Sequence, residues 1–191
     1  MNFGASPLEA FDFGKSLFAR LVNAKPEEVA LVENTSVGLN IAANALLCPS
    51  GSKVVTTDLE YPSVVYPWLK KSPIVKVHYI RNRRGKVLLE DFEKAVGNST
   101  VAVVVSHVKY VNGFRNNLKA LSEIAHSHGA VLIVDAIQSA GVIPIDVKRD
   151  DVDFLATACC KWLLGPSGAA YLYVRKELIE KLKPPMLGGQ A

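Results

Sequence analysis

Three side chains, Asp135, Gln138 and Lys161, occupy positions from which they could do chemistry, in the stretches VDAIQSAG and ACCKWLLGPSG. Asp135 ends an apolar run. A carboxylate buried there without a partner is expensive, so it must face a cation or a hydrogen-bond donor. Gln138 follows three residues later and lies close to it if the chain turns into a helix. Lys161 ends another apolar run, just before a Gly-Pro turn. A lysine in that position either snorkels to water along its own stem or serves as a nucleophilic amine, a candidate for Schiff-base chemistry. Spacing alone leaves both open. If the two runs are neighbouring strands, Asp135 and Lys161 are one crossover apart and open onto the same crevice.

Other residues fall at the ends of apolar runs in the same way. Thr35 and Ser36 follow VALVEN and suit the start of a helix, either as simple caps or as part of an anion site built from exposed N–H groups and hydroxyls. Glu60, Tyr61 and Pro62 follow VVTTD, and Tyr61 can stack on a flat ligand or simply pack. His107, Tyr110 and Asn112 share one loop after VAVVVS; the histidine by itself reads as structural. His126 and His128 are two apart on a helical pattern, so they make a poor metal pair.

These residues need strands to hold them. EEVALVEN, SKVVTTD, VKVHYI, TVAVVVSH, AVLIVDA, VDFLATAC and GAAYLYV are rich in Val, Ile, Leu and Thr and too short for most helices. Such near-continuous apolar runs belong to a sheet covered on both faces and therefore mostly parallel. Amphipathic stretches lie between them: SVGLNIAANALL, LLEDFEKAV, NLKALSEIAHSHG with Gly129 as its C-cap, and RKELIEKL after the last strand. The pattern predicts an α/β fold, an open and mostly parallel (mixed) sheet with helices on both faces. In such sheets ligands gather beyond the carboxyl ends of the strands.

The bulk composition narrows the classes. The 191 residues are 49% hydrophobic and 21% charged, with a net charge of +4, as in a globular protein with a real core. The basic stretch RNRRGK, from Arg81 to Lys86, contains a glycine and lies between apolar runs, which fits a solvated loop better than a nucleic-acid surface. Three cysteines, Cys48, Cys159 and Cys160, form neither a disulfide framework nor a zinc pattern, and a reducing cytoplasmic setting fits them. No membrane span, targeting signal, G-x-G-x-x-G or P-loop is expected.

The series ENTSVGLN, EYPSVVYPW, SHVKYVNGF, VDAIQSAG and KWLLGPSG resembles the class V branch of the fold-type I pyridoxal phosphate enzymes, which includes cysteine desulfurases, selenocysteine lyases, isopenicillin N epimerase-like proteins and several aminotransferases. The likeness runs from about Pro26 to about Val174. It implies pyridoxal 5'-phosphate as cofactor, with Lys161 holding it as a Schiff base and Asp135 pairing with its pyridinium nitrogen. Gln138 would bond the ring's phenolic oxygen, Thr35 and Ser36 would cradle the phosphate, and Tyr61 and Asn112 would complete the pocket. It further implies an amino-acid substrate, and transamination, lyase (desulfurase) or epimerase chemistry in a cytoplasmic homodimer.

Departures from the family pattern are informative. Many desulfurases carry Ser-x-His before the lysine, where this chain has Ala158 and Cys160. The ring-stacking histidine falls at Pro62, beside Tyr61, and a common asparagine falls at Tyr110, two residues before Asn112. These features lean towards the isopenicillin N epimerase-like side. Family members are about twice as long, so residues 1–191 are expected to be the large, cofactor-binding domain without the small C-terminal one. The competing expectation is a catalytically inactive domain that serves as an interaction or dimerisation subunit.

Overall fold

The computed structural model describes residues 7–186. Seven strands form one sheet: β1 (Val29–Val32), β2 (Ser52–Thr57), β3 (Val75–Ile80), β4 (Thr100–Ser106), β5 (Val131–Asp135), β6 (Phe154–Ala158) and β7 (Ala170–Val174). Their order is β1-β7-β6-β5-β4-β2-β3. Strands β6, β5, β4, β2 and β3 pair parallel, while β7 runs antiparallel to both β1 and β6. The expected mixed, mostly parallel α/β sheet is therefore present. The carboxyl ends of β2, β4, β5 and β6 lie side by side at one edge of the molecule.

Among the described residues six α-helices complete the fold: α1 (Pro7–Leu21), α2 (Thr35–Ala45), α3 (Pro62–Leu69), α4 (Leu89–Ala95), α5 (Leu118–His126) and α6 (Lys176–Ile179). They cover both faces. Phe18 of α1, Val22 just after it, Phe92 of α4 and Leu121 of α5 pack with Val103, Val105, Leu132 and Val134. Leu39 and Ala42 of α2 and Trp68 of α3 pack with Ala102, Val104, Ile133, Phe154 and Ala156. The period-two alternation of strand side chains thus assigns residues to faces. Continued to the strand ends, it puts Ser106, Asp135 and Ala158 on the α2 side.

Local starts and stops differ from the sequence pattern in three places. Helix α2 is capped by Asn34, whose side chain accepts from Val37 N–H at 2.9 Å, so Thr35 is already the first helical residue and Thr35 and Ser36 are not the caps. Asn fills that role as well as Ser or Thr, and here it frees both hydroxyls. Helix α5 ends at His126 with Ser127 as its C-cap, and Gly129 takes the left-handed conformation (φ 72°) two residues on. RKELIEKL gives only the four-residue α6; no side chain of that helix is buried, so tertiary packing does not extend it.

Candidate active site

The strand ends on the α2 face converge around Asp135. It is 2% exposed, and one carboxylate oxygen accepts from Ile137 N–H at 2.9 Å. Burial pushes its pKa up to about 6 against that hydrogen bond; Glu60 raises it further, and Lys161 and Lys109 pull it down. Lys161, the amine singled out in the sequence, therefore exerts its charge on the acid singled out with it. Its side chain is exposed, on a turn between β6 and β7.

That turn is tightly specified. Cys159 N–H donates to Ala169 O at 2.9 Å, Gly165 N–H to Cys159 O at 2.8 Å and Leu164 N–H to Lys161 O at 3.1 Å. Gly141, at φ 96°, brings the neighbouring loop against it: a Cβ there would come within 2.5 Å of Trp162 O. Trp162 in turn donates its indole Nε1–H to Gln138 Oε1 at 3.4 Å. The loop bearing Gln138 and the turn bearing Lys161 are thus locked to each other.

Helix α2 points its amino terminus at the same region. Gly38 allows it to lie close on β6, since a Cβ there would already be 3.1 Å from Ala156 Cβ. Thr35 is buried, and its Oγ1 has no hydrogen-bond partner. A buried hydroxyl left without a partner is rare. Together with the free N–H groups of a helix start, it suits an anion. Ser36, next along, is half-buried.

Two rim segments complete the arrangement. Tyr61 precedes α3, is half-exposed, and meets Tyr110 edge-on with ring centroids 5.3 Å apart. Asn112 is engaged elsewhere: its amide donates to Gly85 O at 2.7 Å and its Oδ1 accepts from Phe114 N–H at 3.0 Å. His107 is buried, and its backbone N–H donates to Asp135 O at 2.8 Å. Burial and then Arg115 push its pKa down to about 4, against Asp150. Nε2 accepts from Arg115 Nε–H at 3.2 Å, which leaves the ring hydrogen on Nδ1, a buried atom without a partner.

The sequence pattern did not single out Lys109. Its side chain and that of Glu60 are fully buried and form an ion pair. Burial lowers the Lys109 pKa, against Glu60, Asp135 and Asp58, which raise it. Glu60 and Lys109 follow β2 and β4, which are adjacent in the sheet although β3 lies between them in the chain; that adjacency is the missing signal.

With this geometry in hand, comparison with known proteins is decisive about kinship. The aminotransferase class-V family model matches residues 2–191. The chain belongs to that family. It is 42% identical over 177 residues to YcbU, an uncharacterized aminotransferase of Bacillus subtilis, covering 93% of this chain and 48% of YcbU. It is 34% identical over 186 residues to a probable cysteine desulfurase of Pyrococcus abyssi, covering 95% and 46%. Among solved structures, the apo cysteine desulfurase of Thermococcus onnurineus superposes with a TM-score of 0.89 at 33% identity, covering 98% of this chain and 49% of that one. The chain thus spans about half the length of the relatives it matches. Pyridoxal 5'-phosphate is the cofactor of the family.

Proposed function

We propose that this crevice binds pyridoxal 5'-phosphate and that the chain forms the cofactor-binding part of an enzyme acting on an amino acid. The unpartnered Thr35 hydroxyl at the start of α2, on the same sheet face as Asp135, carries the assignment. The donor set fits the group: an anion seat, a buried carboxylate and an exposed amine, at the ends of neighbouring elements. When bound, the cofactor supplies an electron sink for bond cleavage at the substrate Cα.

Each residue then has a definite task. Thr35, Ser36 and the first N–H groups of α2 hold the phosphate. The Asp135 carboxylate accepts a hydrogen bond from the protonated ring nitrogen and keeps that proton in place. The Gln138 amide reaches the phenolic oxygen, while the Trp162 contact sets its orientation. Tyr61, half-exposed at the rim, would be the aromatic side chain available to the ring. Asn112 acts only through the rim loop that it orders. Lys161 would provide the covalent attachment point, and its amine is the base that could remove a proton from the substrate Cα. Transamination, lyase and epimerase reactions all begin with that proton removal. Ala158 and Cys160, in place of the serine and histidine of many desulfurases, support a place on the isopenicillin N epimerase-like side. A homodimer is the assembly that fits the half-exposed apolar side chains of α1, Phe11, Phe13 and Leu17.

The test is optical. Wild-type chain given pyridoxal 5'-phosphate gains the visible absorbance of a lysine-bound cofactor, and Lys161→Ala does not. A wild type that stays colourless contradicts the proposal.

A further inference from the structure

The buried pair Glu60–Lys109 has no contact role in that scheme, yet it lies beneath the same crevice. Four donors converge on the Glu60 carboxylate: Ser106 N–H at 2.9 Å and Ser106 Oγ–H at 2.6 Å on Oε2, and Thr57 Oγ1–H at 2.9 Å and the Lys109 ammonium on Oε1. That is the environment of an anion. Lys109 is fixed with comparable care. Its backbone N–H donates to Phe114 O and its carbonyl accepts from Gly113 N–H, both at 2.9 Å, around a turn that Gly113 closes at φ 71°. The turn directs a lysine into the protein interior, where lysine is almost never left without a counter-charge.

The charges around Asp135 define the consequence. It faces Glu60 from the loop after β2, Lys109 from the segment after β4, Lys161 from the turn after β6, and Ile137 N–H from its own segment. Two neighbouring buried acids without a cation would share a proton rather than both ionise. Lys161 is committed to the cofactor in the scheme above, so Lys109 is the cation that stays.

We propose that Lys109 is a positioning residue that offsets the Glu60 charge and thereby keeps Asp135 a carboxylate, ready for the ring nitrogen. The inference rests on the role given to Asp135 above. Ser106, which donates twice to Glu60, is the residue paired with Asp135 across β4 and β5, so the ion pair and Asp135 meet through one shared neighbour.

The experiment is a carbon-13 NMR titration of the Asp135 carboxyl in the cofactor-free chain, wild type against Lys109→Gln and Lys109→Arg. Loss of the cation raises the Asp135 midpoint by about one unit, and arginine restores it. A folded Lys109→Gln with the wild-type midpoint overturns the proposal, because a purely structural lysine would not move that titration. If Lys109→Gln does not fold, the wild type decides alone: the Lys109 Nζ resonance inflects at the Asp135 midpoint, whereas a flat Nζ trace overturns the coupling. No cofactor is present, so the coupling and the cofactor assignment fail separately. A shifted midpoint beside a colourless wild type supports the coupling and sinks only the assignment.

Discussion

Two charged clusters sit at opposite ends of the same strands, and they are built on different principles. At the amino ends of β5 and β6, His126 bridges Asp151 (3.2 Å) and Asp153 (2.7 Å), and Arg175 reaches both acids, at 2.6 and 3.1 Å. Asp153 also accepts from Leu132 N–H at 2.7 Å. Every member is partnered by another. At the carboxyl ends, the Asp135 carboxylate accepts one hydrogen bond from the protein, Thr35 Oγ1 makes none, and Lys161 is exposed. The first cluster is complete as it stands and ties the sheet to its connections. The second leaves donors and acceptors open, which costs stability and is the arrangement expected of a ligand site.

That contrast can be broken by substitution. The largest effect falls on the closed cluster. Asp153→Ala leaves Leu132 N–H, His126 and Arg175 without their shared acceptor, and unfolding free energy drops by about 3 kcal/mol in urea denaturation. Cofactor uptake by the folded fraction is retained, since the substitution lies at the far end of the strands.

Asp135→Asn behaves in the opposite way. The carboxyl titrates near 6 in the folded chain against an ordinary value of 3.8, so the fold prefers the protonated form. Its stabilising contribution is full below about pH 4 and is lost as pH rises through 6. The amide removes the burden of a buried charge, so the variant gains up to about 2 kcal/mol at neutral pH. It also loses the wild type's rise in stability between pH 6 and 4, as denaturation midpoints across that window would register, and it binds cofactor poorly.

Thr35→Val sharpens the comparison on a smaller scale. It removes a hydroxyl that has no protein partner, so stability changes by less than about 1 kcal/mol, while cofactor affinity measured by absorbance titration falls about tenfold. Asp151→Asn is the mildest. Burial raises the Asp151 pKa, but Arg175 and then His126 lower it further, so its contribution is present at neutral pH and lost on acidification below about 4. The side chain is partly exposed, and solvent screening keeps the loss at neutral pH under about 1 kcal/mol. The variant flattens the acid limb of the stability profile.

Which parts of this were legible in the sequence follows from where the information lies. The strands were, because each is a short run of β-branched and aliphatic residues, and so were Asp135, which ends β5, and the helix start at Thr35 that follows VALVEN. Asn34 was missed as the cap of α2 because three adjacent residues, Asn34, Thr35 and Ser36, are all good caps and sequence does not rank them. Lys109 was missed for a topological reason. Its partner Glu60 follows β2, and nothing in the chain tells that β4 inserts beside β2 rather than beside β3. Asn112 was assigned from its place in the rim loop, but the contact it makes depends on the turn Arg81–Lys86 folding back to offer Gly85 O.

The central claim is that Lys161 is the attachment point for a pyridoxal group seated by Thr35 and Asp135. Borohydride reduction of the cofactor-loaded chain, followed by intact mass and peptide mapping, tests it most directly. The expected result is one pyridoxyl-phosphate adduct per chain, on the peptide containing Lys161 and absent from Lys161→Ala. An adduct spread over exposed lysines such as Lys70 and Lys94, equal in the variant, would contradict it.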